Sequence, residues 1–177
     1  FFSSSILVAV TDLIQSQPHL SPDEARQIAI DFFGQHGEIQ KLDSERDQNF
    51  LLNTEKQNKF VLKVANSQTS LNFVDLENEA MLKLQETDLA SVVPYPVKSV
   101  HGNHVESFDN KYPVRLVQFI EGQLLAKVKP HSPALLHDLG KKLGSLTHSL
   151  IEFEHPAAKR EFHWDLDRFS ATYERYK

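Results

Sequence analysis

The hydrophobic pattern of this chain changes period once, and that change narrows the folds open to it. Up to about residue 120 the apolar residues come in short runs of strand length, broken by one helical stretch. From about Ser132 they recur at helical spacing, as Leu135, Leu136, Leu139, Leu143, Leu146 and Leu150. Strands are predicted over 38–42, 49–53 and 59–65, with the polar run Thr54-Glu55-Lys56-Gln57-Asn58 turning between the last two. A helix is predicted over 71–86, and Pro94 and Pro96 force an extended segment after it. Segments 97–100 and 105–108 flank Gly102-Asn103, a hairpin signal, and 114–119 reads as a buried strand. We read this order as a five-stranded, mostly antiparallel sheet with one inserted helix, a break at Gly122, and then helices, including one over about 133–150. The class is α+β, with a sheet lobe joined to a helical lobe.

The start of the chain is helical in spacing. Ile6, Val10, Leu13 and Ile14 follow one helix-like pattern. Ser21-Pro22-Asp23-Glu24 then marks a second start, with Ser21 as N-cap, Pro22 at the first helical position and Glu24 closing a capping box. That helix runs through Ile28 and Phe32 and stops at Gly34. These helices are expected to pack outside the sheet and touch no ligand. The divisions are a helical segment over 1–35, a sheet lobe over 36–121, and a linker with the start of a helical lobe over 122–177.

Composition excludes several classes of function. A formal charge of −5 and a pI near 6.0 argue against nucleic acid as the main partner. No apolar run approaches the roughly 20 residues that span a bilayer, so no membrane association is expected. With no cysteine, the chain cannot build disulfides, iron–sulfur clusters or thiolate zinc sites. A cytoplasmic location fits this composition. The histidines show no metal-site spacing; His131 and His137 stand six apart and no H-E-x-x-H occurs. The chain begins at Phe1 and stops in a polar run ending at Lys177, so both ends read as cuts inside a longer protein.

Two charges fall where charges are costly. Lys63 interrupts the apolar strand Phe60-Val61-Leu62-Lys63-Val64, and alternation places it on the face of Val61 and Ala65. Taken alone it could be an edge lysine reaching water. Glu77 falls among Phe73, Leu76, Ala80, Met81 and Leu84, the apolar stripe of the following helix, while Glu79 falls on the polar side. Glu77 could also lie at the stripe's edge and reach solvent. A buried cation on a strand and a buried anion on the next helix satisfy each other, so the two are expected to pair or to face each other across a gap holding phosphate or water.

A strand lysine paired with a helix glutamate resembles the protein-kinase arrangement, in which the lysine holds ATP phosphates. The details resemble the aminoglycoside phosphotransferase and choline-kinase-like family, in its hydroxylysine-kinase-like branch. Ser44-Glu45-Arg46-Asp47-Gln48-Asn49-Phe50 is similar to that branch's nucleotide loop. Val92-Val93-Pro94-Tyr95-Pro96 resembles its V-P-x-P segment, and Leu116-Val117-Gln118-Phe119-Ile120-Glu121-Gly122 its hinge strand. Segment 139–148 resembles its next helix, L-G-x-x-L-x-x-L-x-H. The resemblance covers about residues 22–170. It implies a protein-kinase-like nucleotide-binding lobe over 36–121 and the first helices of a truncated second lobe. It implies ATP as cofactor, with Lys63, Glu77, Ser44, Gln48 and Asn49 at the phosphates. The Gln118 carbonyl and the Ile120 N–H would meet adenine. The loop has no G-x-G-x-x-G, but backbone N–H groups in a tight turn can cradle phosphate without glycines.

Such a kinase also needs an H-x-D-x-x-x-x-N loop and a further magnesium-binding Asp. His163-Trp164-Asp165 supplies H-x-D, but Ser170 stands where Asn is required, and no D-x-D or D-F-G follows. Magnesium is therefore expected only with a second lobe. The expected activity of the full protein is transfer of the ATP γ-phosphate to a hydroxyl of a small amine or amino-sugar compound. This fragment is expected to be inactive alone. The alternative is a non-catalytic, pseudokinase-like binding or regulatory module in a multidomain protein, with fused domains beyond.

Overall fold

A capping box opens the first described helix, α1 (Pro22–Phe33), as its four starting residues predict. Ser21 Oγ accepts from the Glu24 N–H at 3.2 Å, and the Glu24 carboxylate accepts from the Ser21 N–H at 2.8 Å. Gly34 ends α1 in the left-handed region, at φ +61°, where the absence of a Cβ removes the steric cost. The structure is a computed structural model that describes residues 16–159 and 166–176. The expected helix around Ile6–Ile14 and the His163-Trp164-Asp165 motif lie outside those residues.

Among the described residues six strands form one antiparallel sheet: β1 (Gly37–Leu42), β2 (Gln48–Thr54), β3 (Lys59–Val64), β4 (Pro96–Val97), β5 (Glu106–Phe108) and β6 (Tyr112–Gln118). Their order is β1-β2-β3-β6-β4, and β5 also pairs with β6. Helix α2 (Leu71–Gln85) is inserted between β3 and β4, and α3 (Pro133–Ser149) and α4 (Phe169–Tyr176) follow the sheet. The expected sheet of five strands thus has six, and the expected hairpin around Gly102-Asn103 does not pair with itself. Val97 pairs with Leu116 and Glu106 with Val114, so β4 and β5 both use β6. The intervening loop takes the hairpin's bonds for itself. Ser99 Oγ accepts from the N–H groups of His101 (3.1 Å) and Asn103 (3.2 Å), and the Ser99 N–H bonds the Asn103 carbonyl at 2.7 Å.

The register sorts the sheet into two unlike faces. On one, Phe50, Leu62 and Leu116 lie opposite one another, flanked by Leu52, Phe60, Val64 and Val114, and all are buried. Ala25, Ile28, Ala29 and Phe33 of α1 complete this core, so α1 packs on the outside of this face of the sheet. On the other face, Asn49, Lys63 and Arg115 form a polar row across β2, β3 and β6, beside Leu51, Val61 and Val117. Helix α2 lies towards this second face, anchored through Arg115. The leucine stripe of α3 stays largely open, with Leu136 49% and Leu143 55% exposed.

Two glycines give contrasting tests of this packing. A Cβ on Gly37 would lie 2.0 Å from the Asn53 carbonyl oxygen, at the β1–β2 pair. Gly37→Ala should therefore cost about 1–3 kcal/mol through forced backbone shifts. Gly140, inside α3, meets nothing within 4 Å, and Gly140→Ala should raise stability by about 0.5–1 kcal/mol. Urea unfolding of the two variants checks both signs.

Candidate functional site

The open face of the sheet and the start of α2 enclose a cavity of about 410 Å³. Lys63 and Arg115 reach it from adjacent strands, Glu77 from α2, and Arg46 and Asp47 from the β1–β2 loop. Phe73, Val74 and Pro113 supply its apolar wall. Each position follows from local rules. Ser70 caps α2, accepting from the Phe73 N–H at 3.2 Å, which starts the helix close to the end of β3. Strand alternation turns Lys63 and Arg115 to the same side, where the register makes them direct neighbours.

Glu77 meets Arg115 rather than Lys63. The Arg115 guanidinium forms an ion pair with the Glu77 carboxylate and donates to Asn78 Oδ1 at 3.0 Å. Asn78 is wholly buried, and its Nδ2 donates to the His104 carbonyl at 3.1 Å. The predicted stripe of α2 is Phe73, Leu76, Ala80, Met81 and Leu84, with Glu77 inside it, whereas the buried residues are Val74, Asn78 and Leu84, so only Leu84 is shared. The register shifts because Asn78 brings its own partners. A buried amide with both ends satisfied is tolerated where an unsatisfied one would not be.

This pairing leaves Lys63 in a distinctive state. Among the described residues it forms no ion pair, though Glu77 lines the same cavity. Burial holds its ammonium below the usual lysine range. Arg115 pushes in the same direction, and Glu77 and Asp47 pull back. Asp47 is itself engaged, since Oδ1 accepts from the Asn66 N–H at 3.1 Å and from Asn66 Nδ2 at 3.3 Å. Both carboxylates at the cavity thus have partners, while the lysine does not.

The predicted loop residues divide. Gln48 is buried, and its side chain closes on the Leu20 backbone, accepting from the N–H at 2.7 Å and donating to the carbonyl at 3.2 Å. It ties the segment before α1 to β2 and does not line the cavity. Asn49 stands opposite Lys63, and its Nδ2 donates to Ser44 Oγ at 3.2 Å, while its Oδ1 is buried with no hydrogen-bond partner. Arg46 and Asp47, between them in sequence, reach the cavity. The hinge residues lie apart from it. Gln118 lines a separate depression with Lys59 and Tyr95, and its N–H donates to the Tyr95 carbonyl at 3.0 Å. Ile120 lies exposed just beyond β6. Sequence reading missed Arg115, Asn78, Arg46 and Asp47. The signal for Arg115 was present, as a lone charge in the apolar strand 114–119.

One further cluster has the dimensions of a metal site. Asp75, Glu79 and His155 hold ligand atoms within 4.8 Å of one another, with His155 Nε2 3.9 Å from each carboxylate. However, His155 Nδ1 accepts from the Ala157 N–H at 3.1 Å. In the neutral ring this places the proton on Nε2, which then faces the carboxylates as a donor, whereas a metal needs its lone pair. The cluster reads as a clasp between α2 and the segment after α3.

With the fold and this site described, the chain's relatives can be stated. A profile of the phosphotransferase enzyme family matches residues 38–177. The chain belongs to that family. The chain is 30% identical over 164 residues to a hydroxylysine kinase of Danio rerio, spanning 86% of the chain and 46% of the relative. It is 25% identical over 170 residues to the hydroxylysine kinase of Bos taurus, with 85% and 45% covered. The chain therefore spans about half the length of the curated relatives it matches. Among solved structures, an amicoumacin kinase in complex with AMP-PNP and Ca²⁺ aligns with a TM-score of 0.70 at 15% identity. That alignment covers 94% of this chain and 48% of the amicoumacin kinase. A microcompartment-associated aminopropanol kinase aligns with a TM-score of 0.55 at 19% identity, with 84% and 46% covered. The fold is that of one half of these kinases. No described helix is long and apolar enough to cross a membrane.

A charge held in a desolvated place should cost stability. Lys63→Met should stabilise the chain by roughly 0.5–1 kcal/mol at pH 7. The sign follows from linkage. The folded pKa lies below the unfolded one, so the cost is full below the folded value and is relieved as pH rises toward 10.5. The gain from Lys63→Met should therefore shrink over that interval, as read by urea midpoints of both proteins across pH.

Proposed function

We propose that this phosphotransferase chain binds ATP, with its phosphates against Lys63, as the nucleotide-binding half of a small-molecule kinase. One observation carries the reading. Lys63 is a partly desolvated cation with no ion pair among the described residues, facing a cavity whose two carboxylates are already engaged by Arg115 and Asn66. Such a site favours an incoming anion over water, because the anion restores what burial removed. Arg46 at the rim adds a second positive group. The Ser44–Asn49 contact braces the loop beside Lys63. Gln118 and Ile120 remain the proposed adenine contacts through their backbones. Residues 36–121 form the nucleotide lobe in this reading, and 122–177 the linker and start of a helical lobe.

The relatives' names, hydroxylysine kinase and aminopropanol kinase, each describe an acceptor with an amine and a hydroxyl. We infer that the whole protein transfers the γ-phosphate to a hydroxyl of a small amine or amino-sugar compound. Phosphoryl transfer relies on positioning and on metal-assisted charge neutralisation. The carboxylates at this cavity are committed to Arg115 and Asn66, and Ser170 replaces the Asn that would follow Asp165. Magnesium binding and transfer are accordingly assigned to a second lobe of a longer protein. The non-catalytic reading draws on that same substitution at Ser170.

Titration of ATP against the 177-residue chain tests the binding. Lys63→Ala should weaken ATP about tenfold or more, the worth of one charge-assisted contact. Adenosine, which has no phosphates, should bind both proteins alike. Equal ATP affinity in the two proteins would remove the reading. With ATP, magnesium and 5-hydroxylysine or an aminoglycoside, the chain should show no turnover. Turnover abolished by Asp165→Ala would place the catalytic loop within this chain.

A further inference from the structure

The geometry points to Asp47 as the positioning residue of the β1–β2 loop: bonded to Asn66, it holds the neighbouring Arg46 at the cavity as a second contact for the nucleotide's phosphates. The inference deepens the ATP reading and rests on it for its effect on binding, while the bond to Asn66 can be followed without nucleotide.

The loop's backbone is not built to make that contact. Segment 43–47, Asp43-Ser44-Glu45-Arg46-Asp47, has no glycine. Outside glycine, the described residues with positive φ are Gln57, Asp109 and Asn110, none of them in this loop. The alternation of right- and left-handed residues that aims successive N–H groups at one anion is therefore missing. The loop meets the cavity through Arg46 and Asp47, and of these only Arg46 attracts a phosphate.

An arginine on an exposed loop loses conformational entropy when it is held in one place, so the loop beneath it must be fixed beforehand. Asn66 provides the fixed point. It lies between β3 and α2, is 1% exposed, and engages all of its polar groups. Its N–H and its Nδ2 both donate to Asp47 Oδ1, at 3.1 and 3.3 Å. Its Oδ1 accepts from the Gln68 N–H at 3.0 Å, and its carbonyl accepts from the Thr69 N–H at 3.0 Å. The residue that receives Asp47 is thus locked into the turn leading from the lysine strand to α2. Two further ties hold the loop, Asn49 to Ser44 at 3.2 Å and Gln17 to the Glu45 carbonyl. The Asp47 tie is the one that runs to a residue of the cavity wall.

The charges at the cavity make this role separable from a plain electrostatic one. Its charged side chains are Arg46, Asp47, Lys63, Glu77 and Arg115. Glu77 is paired with Arg115, whereas Asp47 is bonded to the neutral Asn66. The negative charge of Asp47 is felt at Lys63, whose pKa it raises. Charge alone therefore sets Asp47 against an incoming phosphate, and its removal would tighten anion binding. Loss of the latch to Asn66 would loosen Arg46 and weaken binding. The two roles predict opposite signs.

The test compares the wild-type chain with Arg46→Met, Asp47→Ala, Asp47→Asn and the double variant Arg46→Met/Asp47→Ala, with thermal melts to confirm folding. Arg46→Met should bind ATP about fivefold more weakly, a smaller loss than at Lys63 because Arg46 is exposed. Asp47→Ala should weaken ATP by about the same factor although a negative charge has gone. Asp47→Asn removes that charge but keeps an oxygen for Asn66, and should bind ATP at least as tightly as wild type. The double variant should lose nothing beyond Arg46→Met, because Asp47 acts through Arg46. Without nucleotide, hydrogen exchange of the Asn66 N–H should quicken roughly fivefold in Asp47→Ala and stay within about twofold of wild type in Asp47→Asn. Tighter ATP binding by Asp47→Ala, or unchanged binding by Arg46→Met, would overturn the proposal and leave the ATP reading standing on Lys63. A double variant weaker than either single variant would overturn it too, by showing that Asp47 acts other than through Arg46. A wild-type chain that binds no ATP would remove the ATP reading and this role together. Should Asp47→Ala fail to fold, Arg46→Met and Asp47→Asn decide. A loss of ATP affinity in Asp47→Asn as large as in Arg46→Met would then overturn the proposal.

Discussion

The bridge from Arg115 to Glu77 and Asn78 sets the position of α2 over the sheet. The helix buries Val74, Asn78 and Leu84 fully, so apolar packing supplies part of its attachment. Directional bonds complete the attachment. The fork on β6 binds two consecutive helix residues, and Asn78 passes the connection to the His104 carbonyl in the loop before β5. Helix, sheet and loop are thereby held at one point. The cavity beside that point inherits its shape from it, since its walls are the sheet's open face and the first turns of α2.

The two faces of the sheet divide the work. One carries an apolar core closed by α1, with Phe50, Leu52, Leu62, Val64 and Leu116 fully buried. Burial of this kind provides most of the stability available to a domain of this size. The other face carries the row Asn49, Lys63, Arg115, in which one charge is fixed and another is not. A partly desolvated lysine and an unbonded Asn49 Oδ1 are both unfavourable in the free protein. The closed face offsets that cost, which is the arrangement expected where a binding site is built into a sheet rather than onto its loops.

How much of this was legible in the sequence depended on the range of the interactions involved. Helix α1 was legible to its ends because capping is local, with Ser21 and Glu24 three residues apart and Gly34 at the stop. The faces of β3 were legible because alternation is local too. The hairpin at Gly102 was misread because Ser99, three residues upstream, draws the loop's N–H groups to its own hydroxyl. The phase of α2 was misread because hydrophobicity alone ranks Asn78 as a surface residue. Its burial depends on Arg115, 37 residues away. Gln48 was misread as a phosphate donor for a similar reason, since its partner Leu20 is 28 residues away. Polar residues whose partners are distant in sequence carry no local sign of where they will point.

The same reasoning explains why Lys63 and Glu77 were identified as belonging together while the bond between them was not found. Both were singled out as charges misplaced on apolar faces, and the structure puts both at one cavity. The expectation was that the two pair or face each other across a gap, and the second arrangement is the one observed. A third charge was present in Tyr112-Pro-Val-Arg115-Leu-Val-Gln118, in a strand otherwise apolar at its centre. Once Arg115 is counted, electroneutrality no longer selects the Lys63–Glu77 pair. Glu77 then has two cations within reach of its cavity, and geometry decides which it holds. The guanidinium has two acceptors spaced for its fork, and the ammonium has a cavity. The unpaired charge is therefore a consequence of the packing of α2, and the anion binding proposed for this cavity rests on how that helix is fastened.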